Sequence, residues 1–216
     1  METICLYFNV QQLNNEKDFF RACSLIKNND RKEKIASFKL LDDKKRCLAA
    51  GLLLEYVFKK RGIENPEIIY GERGKPLYKH QKELGIYFSL SHSGDYAVIA
   101  VSNKEVGIDV EKVKEPNYKV AEKVFTEIER KTFLTGDAEG FFKVWTMKES
   151  YLKYCGLGIE KLKDFQVAKP SKVLDEVDFK TTLIDNHVVT VCHQKGQELL
   201  IKELKLCEIE KRLTIN

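Results

Sequence analysis

Asp109 and Glu111 stand two residues apart in the segment VGIDVEKV (106–113). On a strand, residues i and i+2 share a face, so this spacing brings two carboxylates together. Side by side they repel, and one takes up a proton unless a cation neutralises both. Hard oxygen ligands suit Mg²⁺, which keeps part of its shell for water and substrate phosphate. An exposed strand end with two solvated acids fits the same triplet.

A second group lies in WTMKESYLK (145–153), where Trp145, Glu149 and Lys153 recur at helical spacing on one face. Glu149 and Lys153 can pair across one turn, as surface Glu–Lys neighbours commonly do. Phe141, Phe142 and Val144 precede them, so this face is expected to be partly buried, and a buried Glu needs a partner or a metal. A third group is Ser91, His92 and Ser93. Adjacent strand residues point to opposite faces, and no GxSxG elbow surrounds Ser91, so a Ser–His nucleophile pair is not expected. A histidine at a strand end can donate to a phosphate or serve as a satisfied structural group. Fourth, Arg31 and Lys34 lie one helical turn apart, with Arg46 further on and Lys75 in a GKP triplet (74–76) that lacks the Walker A framework. Such a helix can clamp a phosphate or simply present a solvated face.

Several elements must position these groups. ICLYFNV (4–10) reads as a strand, 18–24 and 31–60 as helices, and the GERGKP region (71–76) as a turn. IYFSLSHS and YAVIAVS read as a strand pair turning at Ser93-Gly94-Asp95, and VGIDVEKV as a further strand. Segments 120–133 and 140–154 read as helices, the second closed by Gly156. FQVA, VDFKTTLI, HVVTVCHQ and ELLIKELKLCEI read as mainly antiparallel strands. The expected fold class is α+β (mixed α/β) in two halves, 1–104 and 105–216, with the boundary near 103–105.

The 216 residues are 43% hydrophobic and 32% charged, with a net charge of +4. That composition excludes wholesale disorder and argues against a general nucleic-acid coat. Residues 27–46 hold eight bases and four acids, an excess equal to the whole net charge. Without a secretory leader pattern or a membrane-length apolar run, the expectation is a soluble cytoplasmic protein that engages no membrane. The six cysteines form no CxxC pair and read as small core residues; neighbouring Cys192 and His193 lack a chelating spacing.

Taken in order, GKP (74–76), FSLSHSGDYAV (88–98), VGIDVEKV (106–113) and FFKVWTMKESYLKYCGLGI (141–159) resemble the 4′-phosphopantetheinyl transferase superfamily in its surfactin-synthetase-activating (Sfp) type. The pairing of GIDVE with WTMKESYLK is the specific part. The resemblance implies transfer of the phosphopantetheine arm of coenzyme A to a serine hydroxyl of an apo acyl or peptidyl carrier protein of fatty-acid, polyketide or nonribosomal-peptide synthesis, with release of 3′,5′-ADP. It implies Mg²⁺ on Asp109, Glu111 and Glu149. Glu149 is implied as general base and Lys153 as the group that neutralises or protonates the leaving phosphate. His92 and Ser91 are implied at the 3′-phosphoadenosine end of CoA, Lys75 at the adenine edge, and Arg31, Lys34 and Arg46 on CoA phosphates. It further implies a pseudo-twofold monomer with its site in the cleft between two similar halves, and a carrier docking near 116–133. The family often has Asn where this chain has Ser89. The rivals are a phosphate or nucleic-acid binding module, which the acidic trio would disfavour by repulsion, and a degenerate transferase, against which the intact Asp109, Glu111, Glu149 and Lys153 argue.

Overall fold

The computed structural model describes every residue except Met1, Glu72, Thr135, Asp137 and Asn216, so Glu72 of the expected GERGKP turn lies outside the described residues. The chain begins with β1 (Thr3–Asn9), then α1 (Glu16–Ser24), α2 (Asn29–Ser37) and the long α3 (Leu41–Lys60). A small ribbon of β2 (Ile68–Tyr70) and β3 (Pro76–Tyr78) and a turn of helix α4 (Gln81–Leu84) lead to the hairpin of β4 (Tyr87–Ser93) and β5 (Tyr96–Ser102). Then come β6 (Val106–Lys112), α5 (Tyr118–Val124), α6 (Glu127–Phe133) and α7 (Ala138–Cys155). After the short α8 (Val173–Glu176), the chain closes with β7 (Val177–Ile184), β8 (His187–Gln194), β9 (Leu199–Glu203) and α9 (Leu206–Thr214).

The fold is α+β, and one topology occurs twice. In the first half a strand, a long helix and a hairpin give the order β4-β5-β1; in the second the same succession gives β7-β8-β6. In each, the opening strand pairs antiparallel with the second strand of the later hairpin. Helix α3 covers one sheet through Leu48, Leu52 and Phe58, which pack with Phe8, Phe88 and Ile99. Helix α7 covers the other through Phe142 and Val144, which pack with Val188. Between the sheets, Cys5, Val98 and Ala100 share a core with Ile108, Val110 and Val191. Strand β5 is buried along its whole length, as its apolar run from Tyr96 to Val101 leads one to expect, and the terminal Ser102 is satisfied by the Thr3 hydroxyl.

Four expectations need correction. The single helix over 31–60 is two, because the Ser37 hydroxyl donates to the Lys34 carbonyl and Phe38 turns extended to pack against the core. The helix over 120–133 also divides, at Thr126, which forms a capping box with Glu129. FQVA is not a strand: the Phe165 carbonyl accepts from Lys148 Nζ and the Val167 N–H donates to Glu129 Oε1, so a buried ion pair takes the backbone groups a sheet would use. ELLIKELKLCEI is a strand only to Glu203, after which Leu206, Ile209 and Leu213 place α9 on the first core. Strand β9 pairs parallel with β1, so the last elements of 105–216 return to the first sheet.

Candidate active site

The glycine of GIDVE explains how the site is assembled. A Cβ at Gly107 would lie 1.9 Å from the Ser150 carbonyl oxygen and 2.6 Å from the Tyr154 nitrogen, so only glycine lets α7 cross β6 this closely. That crossing sets Glu149 and Lys153 beside Asp109 and Glu111. Lys153 Nζ donates to Asp109 Oδ1 at 2.7 Å and to Ser91 Oγ at 3.0 Å, and Ser91 donates to the same Asp109 oxygen at 2.8 Å. Glu111 Oε2 accepts from Ser93 at 2.8 Å.

Burial, with Asp109 next, raises the Glu111 pKa. Glu149 is pushed up to about 7, by burial first and then by the Asp109 charge, while Lys153 opposes the shift. The three acids therefore repel one another around a short supply of counter-charge. Among the described residues the buried Asp109 Oδ2 has no hydrogen-bond partner; it is a lone carboxylate oxygen of the kind that a hard cation satisfies. The donor set fits Mg²⁺ in kind, although among the described residues no three potential ligands are gathered into a ready cage. Lys153 supplies the nearest positive charge to Asp109.

A cleft of about 290 Å³ opens beside these acids, lined by Arg31, Lys34, Tyr70, Ser91, His92 and Lys153 among others. It brings together α2, α3, the β2–β3 ribbon, the edge strand β4 and the last turns of α7. The His92 imidazole is held below its ordinary pKa, by crowding from surrounding protein and by the charges of Arg46, Lys153 and Lys34. Two of the basic residues stand apart from the lining. Arg46 donates to Asp43 Oδ1 at 2.5 Å and to the Gly94 carbonyl at 3.3 Å. Lys75 Nζ donates to the Lys153 carbonyl and lies 3.5 Å from Glu105, so its ammonium faces the C-terminal end of α7, where helix carbonyls welcome a cation. Lys75 lines an adjoining hollow of about 240 Å³ with Gly74, Pro76 and Leu157.

Two family models match the chain in tandem: "4′-phosphopantetheinyl transferase, N-terminal" over residues 14–104 and "4′-phosphopantetheinyl transferase superfamily" over 105–204. A 4′-phosphopantetheinyl transferase of Bacillus subtilis is 30% identical over 166 residues, which are 73% of this chain and 71% of that relative. The chain belongs to the 4′-phosphopantetheinyl transferase superfamily. Within it, the chain is also similar to gsp of Aneurinibacillus migulanus, 33% identical over 146 residues (63% of this chain), and to Sfp of Bacillus subtilis strain 168, 28% identical over 137 residues (60% of this chain). Each of those two matches spans 60% of the relative's length.

Sequence reasoning missed residues in and around this site. The sequence motif gives Ser93 no role of its own, although Ser89, Ser91 and Ser93 alternate and must share one strand face. Lys148, one position before Glu149, is fully buried against Glu129 at 3.0 Å. It projects about 100° around the helix from Glu149, and its partner 19 residues away leaves no local signal in the sequence. No sequence signal singled out Tyr70.

Proposed function

We propose that the protein transfers the 4′-phosphopantetheine arm of coenzyme A to a serine hydroxyl of an apo acyl or peptidyl carrier protein, releasing 3′,5′-ADP. The observation that carries this reading is one cleft in which Arg31, Lys34 and His92 meet Lys153 beside the carboxylates of Asp109, Glu111 and Glu149. Cations alone would suit any phosphate; three acids beside them call for a metal as well. Membership of the superfamily supports the same substrates.

In this reading Arg31, Lys34 and His92, with Ser91 nearby, hold the phosphates of the nucleotide end. Arg46 acts at longer range, and Lys75 shapes the adenine edge by holding the end of α7. Asp109, Glu111 and Glu149 would hold Mg²⁺, which supplies charge neutralisation on the pyrophosphate. Glu149 accepts the proton of the carrier serine, directly or through a water, as the serine oxygen bonds to the phosphorus of the arm. The phosphorus–oxygen bond to 3′,5′-ADP breaks, and Lys153 neutralises or protonates the departing phosphate. A hollow of about 200 Å³ lined by Glu111, Asn117, Val120, Phe142 and Trp145 adjoins the acids, which supports carrier docking along 116–133. The two halves, 1–104 and 105–216, contribute the nucleotide and metal groups respectively.

We place the enzyme in the cytoplasm as a monomer, without nucleic-acid or membrane partners. Among the described residues no helix is long and apolar enough to cross a membrane, and all six cysteines are free thiols. The test incubates the protein with CoA, Mg²⁺ and an apo carrier and follows 3′,5′-ADP. Release that matches carrier modification one for one supports the reading. CoA breakdown without modification, or no release from any carrier class, overturns it.

A further inference from the structure

Strands β4 and β6 belong to different sheets, yet they run side by side where the two halves meet. Among the described residues no strand ladder joins β4 to β6; serine side chains bridge them. Ser89, Ser91 and Ser93 project from one face of β4 at every second position. Ser89 Oγ accepts the Ile108 N–H at 3.2 Å, Ser91 donates to Asp109 at 2.8 Å, and Ser93 donates to Glu111 at 2.8 Å. Ser93 Oγ also accepts the Lys112 N–H at 3.3 Å. That backbone donor holds the Ser93 oxygen, and the one hydroxyl proton is left for Glu111. Ser89 meets only backbone, whereas Ser93 meets a carboxylate.

We propose that Ser93 is a positioning residue that orients the Glu111 carboxylate from the opposite half of the molecule for the divalent cation. This rests on the reading of Asp109, Glu111 and Glu149 as metal ligands. A carboxylate held by a hydroxyl presents its remaining lone pairs in one direction, and loss of such a partner commonly weakens metal binding about 10–100-fold. Because the donor belongs to the nucleotide-binding strand, any shift of β4 relative to β6 moves Glu111 with it. Metal affinity is thereby tied to the closure of the seam.

The test is Mn²⁺ binding to the CoA-loaded protein, read from the electron paramagnetic resonance of free Mn²⁺, with CoA affinity in EDTA and thermal melts beside it. Ser93→Thr and Ser93→Val have nearly the same size and differ in the hydroxyl. Ser93→Val is expected to bind Mn²⁺ about tenfold or more weakly, with CoA affinity in EDTA kept, while Ser93→Thr stays within about threefold of wild type. Ser89→Ala lowers the melting temperature and leaves Mn²⁺ affinity unchanged. Equal Mn²⁺ binding by the Thr and Val variants overturns the inference, as does an equal loss in Ser89→Ala. Failure of the wild type itself to bind Mn²⁺ is a different result: it removes the metal reading on which the inference stands.

Discussion

Glu149→Gln is expected to make the metal-free protein more stable while it removes activity. The Glu149 carboxyl is pushed from 4.5 up to about 7, by burial first and by the neighbouring acids, so the folded chain holds its proton where the unfolded chain has released it. Below pH 4.5 the group is neutral in both states and contributes no difference. As pH rises toward 7 the unfolded state gains, and above 7 the folded chain carries the disfavoured charge in full. Full conversion of that displacement gives about 3 kcal/mol withheld at pH 8. Solvent reaches half-buried Glu149, which reduces the figure to about 1–2 kcal/mol. Glutamine keeps the shape without the charge, so the variant should recover that amount at pH 8 and none of it near pH 4.5. For a chain of this size the gain is about 2–8 °C in melting temperature, read by circular dichroism in EDTA. Added Mg²⁺ should raise the wild-type midpoint and leave the variant where it is. A gain of the same size at both pH values, or none at pH 8, would refute the view that burial and the neighbouring acids disfavour the Glu149 charge.

Three further perturbations address separate parts of the molecule. Gly107→Ala drives a methyl group into the Ser150 carbonyl and should cost more than about 3 kcal/mol in urea unfolding; a stable variant would show that α7 can retreat from β6. Lys148→Met leaves Glu129 buried and short of a counter-charge and should cost about 3–5 kcal/mol by the same assay, with the KM for CoA unchanged in whatever fraction folds. Arg31→Ala should raise the KM for CoA about tenfold or more by removing a charge-assisted contact in the cleft. Arg46→Ala, whose guanidinium is occupied by Asp43 and Gly94, should raise it less than about threefold. Equal effects of the two substitutions in steady-state kinetics would argue against this division of the basic residues.

The chemistry was more legible in the sequence than the boundaries of the elements. Asp109 and Glu111 share a face because a strand has a period of two, and Glu149 and Lys153 because a helix repeats near four; both rules are local and both held. The breaks at Phe38 and Phe165 were invisible because no glycine or proline marks them. The first follows from packing of Phe38 on the core, the second from a buried pair on α6 and α7 that claims the backbone of 165–167. The break at Thr126 could have been read, since Thr126 and Glu129 have the spacing of a capping box. Lys75 shows the limit of motif reading: GKP fixes its position in the chain, but only the fold shows its ammonium at the end of α7. Conversely, the repeated strand, helix and hairpin order follows from topology and is hidden in a sequence with no visible repeat.

In the proposed function one cleft joins CoA phosphates, a metal and a carrier serine. The most direct measurement of this is the intact mass of a panel of apo acyl and peptidyl carrier proteins after incubation with the protein, CoA and Mg²⁺. At least one carrier is expected to gain the mass of a single phosphopantetheine arm, and EDTA, Glu149→Gln or replacement of the carrier serine by alanine should each abolish the gain. A panel that stays unmodified while the protein binds CoA, or a carrier that is modified without its serine, would contradict it.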